Sequence, residues 1–171
     1  WNRGTGNASS AVAIHHPSGD SKKISFENQA TQTTGYGSSS QNSNANHVRV
    51  VDWDVGTTEP GSSGSPLFDQ NHRIIGQLHG GGAACGNNSS DWYGRFVTSW
   101  TGGGSNSSRL SNWLDPLNTG QLTLDTSGAG NSAIITSVGN GCGGTAITCD
   151  EAFYETPGFD LANSSFTLDY D

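Results

Sequence analysis

The sequence predicts an all-β protein, on three observations. Its apolar residues fall in short runs bounded by Gly, Asn, Ser and Pro, the punctuation of strands joined by tight turns. No window sustains helical periodicity. No apolar run approaches the roughly 18 residues that a membrane-spanning helix needs.

The elements follow in order. Ala11 to His15 is apolar and extended, and His16-Pro17-Ser18-Gly19 is a turn signal, so Lys23 to Phe26 is expected to return as the second arm of a hairpin. Gly35 to Asn46 is rich in Gly, Ser and Asn and reads as a long loop. His47 to Trp53 alternates as a strand does. Pro66-Leu67-Phe68 is a short strand, residues 69–72 a turn, and Arg73 to Leu78 the partner strand. Tyr93 to Trp100 is a further strand candidate. Ser107 or Ser108 is placed to cap a short helix whose Leu110, Trp113 and Leu114 would face a core, with Asp115-Pro116 as its stop. Residues 1–116 form the expected domain and 117–130 a linker, in which Gln121 to Leu124 is a final strand or tether. Residues 131–171 hold a second apolar group, too short for a robust domain alone, and are expected to be part of a small C-terminal β extension of unassigned role.

Of 171 residues, 31% are hydrophobic and 13% charged, a balance that permits disorder, but the clustering of the apolar residues argues for a packed fold. The net charge is −8 and the basic residues do not cluster, which argues against nucleic acid as a partner. Among the three cysteines, Cys142 and Cys149 are close enough for a local disulfide in an oxidising compartment, which leaves Cys85 over. No zinc site is expected from two cysteines without a nearby His, and no metal or cofactor is called. The start at Trp1-Asn2-Arg3-Gly4 carries no Met, basic region or apolar leader, and is expected to be an internal start within a longer secreted precursor.

The segment Glu59-Pro60-Gly61-Ser62-Ser63-Gly64-Ser65-Pro66-Leu67-Phe68 carries the chemistry. A nucleophilic serine needs an exposed Oγ on a tight loop and backbone N–H groups aimed at the developing oxyanion. Gly61 allows close approach of backbone to a scissile carbonyl, and the N–H groups of Gly61 and Ser63 can converge on one oxygen. No helix signal follows, so the context is strand–loop–strand and differs from the elbow of α/β-hydrolases. A Gly/Ser loop in a secreted β-protein is the plain alternative; the strand and hairpin that follow the motif weigh against it.

These residues, with Ala13-Ile14-His15-His16-Pro17-Ser18-Gly19-Asp20, Gly76-Gln77-Leu78-His79-Gly80-Gly81, Ser90-Asp91-Trp92-Tyr93-Gly94-Arg95 and Ser107 to Pro116, resemble the C-terminal barrel of bacterial lysyl endopeptidases, a family of chymotrypsin-like serine proteases. The resemblance implies a six-stranded antiparallel barrel, the second of a double barrel, with a short C-terminal helix. It implies Ser63 as nucleophile, Gly61 and Ser63 as oxyanion-hole donors, and Asp91 as the pocket floor that selects a lysine side chain. A carboxylate in a narrow slot gains most when an ammonium pairs with it. His79 matches a histidine that stacks on a tryptophan beside the active site, and residues 78–81, with Gly80 and Gly81, match the pocket wall and substrate-pairing edge. Cys85 matches a cysteine that bridges to the family's N-terminal segment.

The chain departs from the pattern in two ways. Ser62 stands where vertebrate trypsins have the aspartate that pairs with a new N-terminus. No block matches the triad His or Asp, which precede the serine in chymotrypsin-like enzymes. Adjacent His15 and His16 point to opposite faces of a strand and read as structural; His47 and His72 read as solvent-facing. The expectation is therefore the nucleophile-bearing part of a secreted, extracellular bacterial lysine-specific endopeptidase, acting on polypeptide and inactive alone, whose partner is the N-terminal barrel that supplies the base. No membrane is implied. The rival is a catalytically degenerate β-domain used for binding or assembly, and a weaker rival is a glycan-binding module.

Overall fold

A computed structural model describes residues 1–125 and the two-residue strand Tyr154–Glu155. The protein is mostly β. Its strands are β1 (Ala11–His15), β2 (Lys23–Glu27), β3 (Gln32–Thr34), β4 (His47–Val50), β5 (Pro66–Asp69), β6 (Ile74–Gly81), β7 (Asp91–Arg95) and β8 (Tyr154–Glu155), with short helices α1 (Phe96–Thr101) and α2 (Ser111–Leu114). One sheet holds them in the order β3-β4-β7-β6-β5-β1-β2-β8, antiparallel throughout. Where six strands of an antiparallel barrel were expected, the sheet has seven main strands, with β8 added at one edge, and Phe26 on β2 bridges to Val55 beyond β4. No ladder joins β3 to the opposite edge among the described residues.

The expected hairpin β1–β2 forms, with Ile14 opposite Ile24 and His15 opposite Lys23. Alternation along β1 turns Ala11, Ala13 and His15 inward, and the two small alanines leave room for Leu67, Val50, Trp53, Leu78 and Tyr93, all at most 5% exposed. Strand β3 was not expected: Gln32-Thr33-Thr34 has no apolar residue, and it pairs because β4 offers it an edge. Strand β6 runs on to Gly81 through a bulge between Leu78 and Gly80, which sets Gly81 opposite Asp91.

Two expectations are corrected. The run Tyr93 to Trp100 is strand only as far as Arg95; the rest is α1. Phe96 and Trp100 sit one turn apart and both are buried, and both rings meet Trp1, at 5.9 and 4.8 Å between centroids. Gly102, at φ 49°, ends the helix by donating to the Thr98 carbonyl. Helix α2 starts at Ser111, later than expected, and its Trp113 and Leu114 are exposed rather than packed in a core. Ser108 Oγ is drawn instead into a turn with Ser105, 2.7 Å away. The tether at 121–124 does form, as a bridge between Asn2 and Thr123.

Candidate active site

Loop 57–65 crosses from the end of the β4 segment to β5. Ser62 N–H donates to the Glu59 carbonyl at 3.0 Å, and Ser65 N–H to the Ser62 carbonyl at 3.1 Å. Gly64 N–H reaches the Leu78 carbonyl at 2.7 Å, and Leu78 N–H the Ser65 carbonyl at 2.9 Å, which stitches the loop to β6. Ser18 N–H donates to the Pro60 carbonyl at 2.7 Å from the β1–β2 turn. Gly61 has φ 98°, and a Cβ there would press on the backbone of His16, Ser18 and Gly19, so only glycine suits the position.

With those amides engaged, two stand apart. Among the described residues, Gly61 N–H and Ser63 N–H donate to no acceptor. Ser63 itself is exposed, and no described side chain hydrogen-bonds its Oγ. The histidines are committed elsewhere or remote: His15 bonds Ser62 and Ser25, His16 the Asp20 carbonyl, and His47 pairs with His79 at 2.9 Å.

A cleft of about 410 Å³ has Ser63 at its exposed end and Asp91, 1% exposed, at its buried end. Thr58, Leu78 and residues 80–82 form its walls. Asp91 Oδ2 accepts from Thr58 Oγ1 at 2.6 Å and from Trp53 Nε1 at 2.9 Å. Burial pushes the Asp91 carboxyl above its ordinary range, against these donors and the Ala83 amide, which favour its charge. Gly81 lies directly against it, since a Cβ there would collide with Asp91 Oδ1 and the Ser90 carbonyl. Glu59, which sequence reasoning did not single out, also lines the cleft, and its Oε1 accepts the Cys85 amide at 2.5 Å.

His79 stacks on Tyr36, with centroids 4.1 Å apart and planes at 26°, where the resemblance implied a tryptophan. His47 is mostly buried beside it rather than solvent-facing; burial first, then His79, lowers its pKa. Cys85 is the one cysteine among the described residues. The Cys142–Cys149 pair and residues 131–171 otherwise lie outside those residues. No group of three metal-ligating side chains is gathered among them.

The cleft thus brings together Ser63, Gly80, Gly81 and Asp91, with Gly61 on the same loop as Ser63 and His79 within β6. Thr58 and Trp53 were missed because their signal, a donor pair aimed at one carboxylate, exists only across 33 and 38 residues of chain. The family model described as lysyl endopeptidase, C-terminal domain, matches residues 1–94. That match spans more than half of the chain, and the chain belongs to the lysyl endopeptidase C-terminal domain family.

Proposed function

We propose that this chain is the nucleophile-bearing barrel of a secreted serine endopeptidase that cleaves polypeptides after lysine. One observation carries the reading: an exposed serine and a buried carboxylate share one cleft, and the serine's loop holds two unengaged amides. Ser63 Oγ attacks the scissile carbonyl and its proton passes to a histidine base. The carbonyl electrons move onto oxygen, which the Gly61 and Ser63 amides receive. Collapse expels the amine, which takes the proton back, and water then hydrolyses the acyl-enzyme by the same route. Asp91 pairs with the lysine ammonium; burial makes its lone charge costly, so a cation that replaces water there is strongly favoured. The base and its orienting carboxylate come from outside this chain, from the first barrel of a chymotrypsin-like pair, because no described His reaches Ser63. Without them serine is a weak nucleophile.

That last observation also favours a second reading, a protease-like β-domain that binds without catalysis. A fluorophosphonate reagent separates the two: in the full-length protein it labels Ser63 if the enzyme reading holds, and absence of labelling beside an intact upstream His rejects it. For specificity, Asp91→Asn is expected to cut lysyl cleavage by roughly 100-fold or more in kcat/KM. Acylation by a small unselective reagent should change only a few-fold. Equal loss of both would make Asp91 structural.

A further inference from the structure

The serine before the nucleophile is as buried as the nucleophile is exposed. Ser62 is 1% exposed and His15 2%. Ser62 Oγ lies 2.9 Å from His15 Nδ1, and His15 Nε2 lies 3.0 Å from Ser25 Oγ on β2. Two further bonds fix the direction of every proton. Ser25 Oγ donates to the Thr57 carbonyl, which can only accept, so its lone proton is used and it must accept from His15 Nε2–H. A neutral imidazole then has a bare Nδ1, and Ser62 Oγ donates to it while accepting from Glu59 N–H at 3.2 Å. The relay therefore runs Glu59 N–H, Ser62, His15, Ser25, Thr57 carbonyl.

This relay begins and ends on the loop that carries Ser63. It pins residue 57 at the loop's entry and the turn 59–62 to strands β1 and β2. The same turn is closed by Ser62 N–H on the Glu59 carbonyl, with Gly61 inside it and Ser63 next in the chain. A rotation of Ser62 would tilt both unengaged amides.

We infer that neutral His15, acting through Ser62, is the positioning residue that holds the Gly61 and Ser63 amides in their oxyanion-binding orientation. The inference rests on the reading of Ser63 as a nucleophile for its catalytic meaning, though the relay itself does not. Protonated His15 would present a second N–H to Ser62 Oγ, which already accepts from Glu59, and Ser62 would have to turn its own proton away. Burial first, and His16 second, lowers the His15 pKa to about 4, so the neutral form persists to well below neutral pH. The titratable groups that face it are His16, next in the chain, and buried Lys23, opposite it on β2, with Glu59 at the start of the relay.

Two measurements test this. In ¹⁵N-labelled chain, the His15 imidazole should show the Nε2–H tautomer at pH 7 and titrate near pH 4. An Nδ1–H tautomer, or a midpoint near the ordinary histidine value, overturns the relay. In the full-length enzyme, His15→Leu and Ser62→Ala should slow fluorophosphonate labelling of Ser63 by about 100-fold, with substrate KM little changed. His15→Gln, whose carbonyl oxygen can accept from Ser62 and whose N–H can donate to Ser25, should stay within about threefold of wild type. Equal loss in the His15→Leu and His15→Gln variants at matched thermal stability, or no loss in either, overturns the positioning role. If the His15→Leu variant does not fold, Ser62→Ala and His15→Gln decide. If wild-type enzyme is itself unlabelled, the protease reading fails, and the imidazole titration alone decides the relay.

Discussion

Glu27 shows how far a single buried group can set the pH response of this molecule. Its side chain is 1% exposed at the end of β2, with Asp52 and Asp54 nearby. Burial raises its pKa to about 7, the Gln29 amide opposes this, and the two aspartates add to it. The folded state therefore holds a proton that the unfolded chain releases near pH 4.5. The carboxyl's contribution is most favourable below that value and is lost as pH rises toward 7. Glu27→Gln keeps an acceptor for the Gln29 amide and removes the charge. We expect it to leave stability near that of wild type at pH 4.5 and to raise it by roughly 1–3 kcal/mol at pH 8, read by urea unfolding at the two pH values. A variant less stable at pH 8 would show that the charge is accommodated. At this scale the sequence was most informative where the structure is local: the tight loop that carries Gly61 and Ser63 was legible because its Gly/Ser motif is contiguous. Ser62 to His15 and Asp91 to Thr58 were not, because each pair meets only after the strands have registered.

At the scale of elements, the β6–β7 pair determines the shape of the cleft. The bulge after Leu78 shifts the register so that Gly80 faces Trp92 and Gly81 faces Asp91. Gly81 then permits the two backbones to approach more closely than any Cβ would allow, with Asp91 Oδ1 directly against it. Gly81→Ala is expected to push β6 away from β7 at this point and, on the proposed lysyl specificity, to lower kcat/KM for lysyl substrates by about tenfold or more, chiefly through KM. A reagent that reacts at Ser63 without entering the pocket should be affected less. Full activity in the alanine variant would mean that the wall has room to yield. Short strands bounded by turn residues were readable from the sequence. Helix α1 was not, since Phe96 to Trp100 is equally apolar as strand or helix, and the choice is made by Trp1, which reaches it from the far end of the chain. Helix α2 was misjudged for the complementary reason: the serines that would have capped it, Ser107 and Ser108, both bond Ser105.

At the scale of the whole molecule, the two ends of the described chain hold each other. Trp1 and Leu124 exchange backbone hydrogen bonds of 2.7 and 2.9 Å, and Arg3 N–H donates to the Leu122 carbonyl at 2.9 Å. The Arg3 guanidinium adds bonds of 2.6 and 2.8 Å to the Gln121 and Gly120 carbonyls, and it lies 4.7 Å from the Trp100 ring centroid. Arg73 pairs with Asp125 at 2.6 Å beyond it. Most of these contacts are exposed, and Leu122 and Leu124 bury little, so the clasp gains little from the apolar core. Asn2, by contrast, is joined to the sheet through the Ile74 carbonyl and Asp69. The clasp should therefore open as a unit, at a lower free energy than the sheet. Arg3→Ala removes both carbonyl bonds and the ring contact. We expect amide exchange at Leu124 to accelerate by about tenfold or more, while Leu67 and Tyr93 in the core change little, and global stability to fall by roughly 1 kcal/mol. Uniform acceleration across clasp and core would show instead that the ends close with the sheet in one cooperative step. In that case the N-terminal segment belongs to the unit that supports the Ser63 loop.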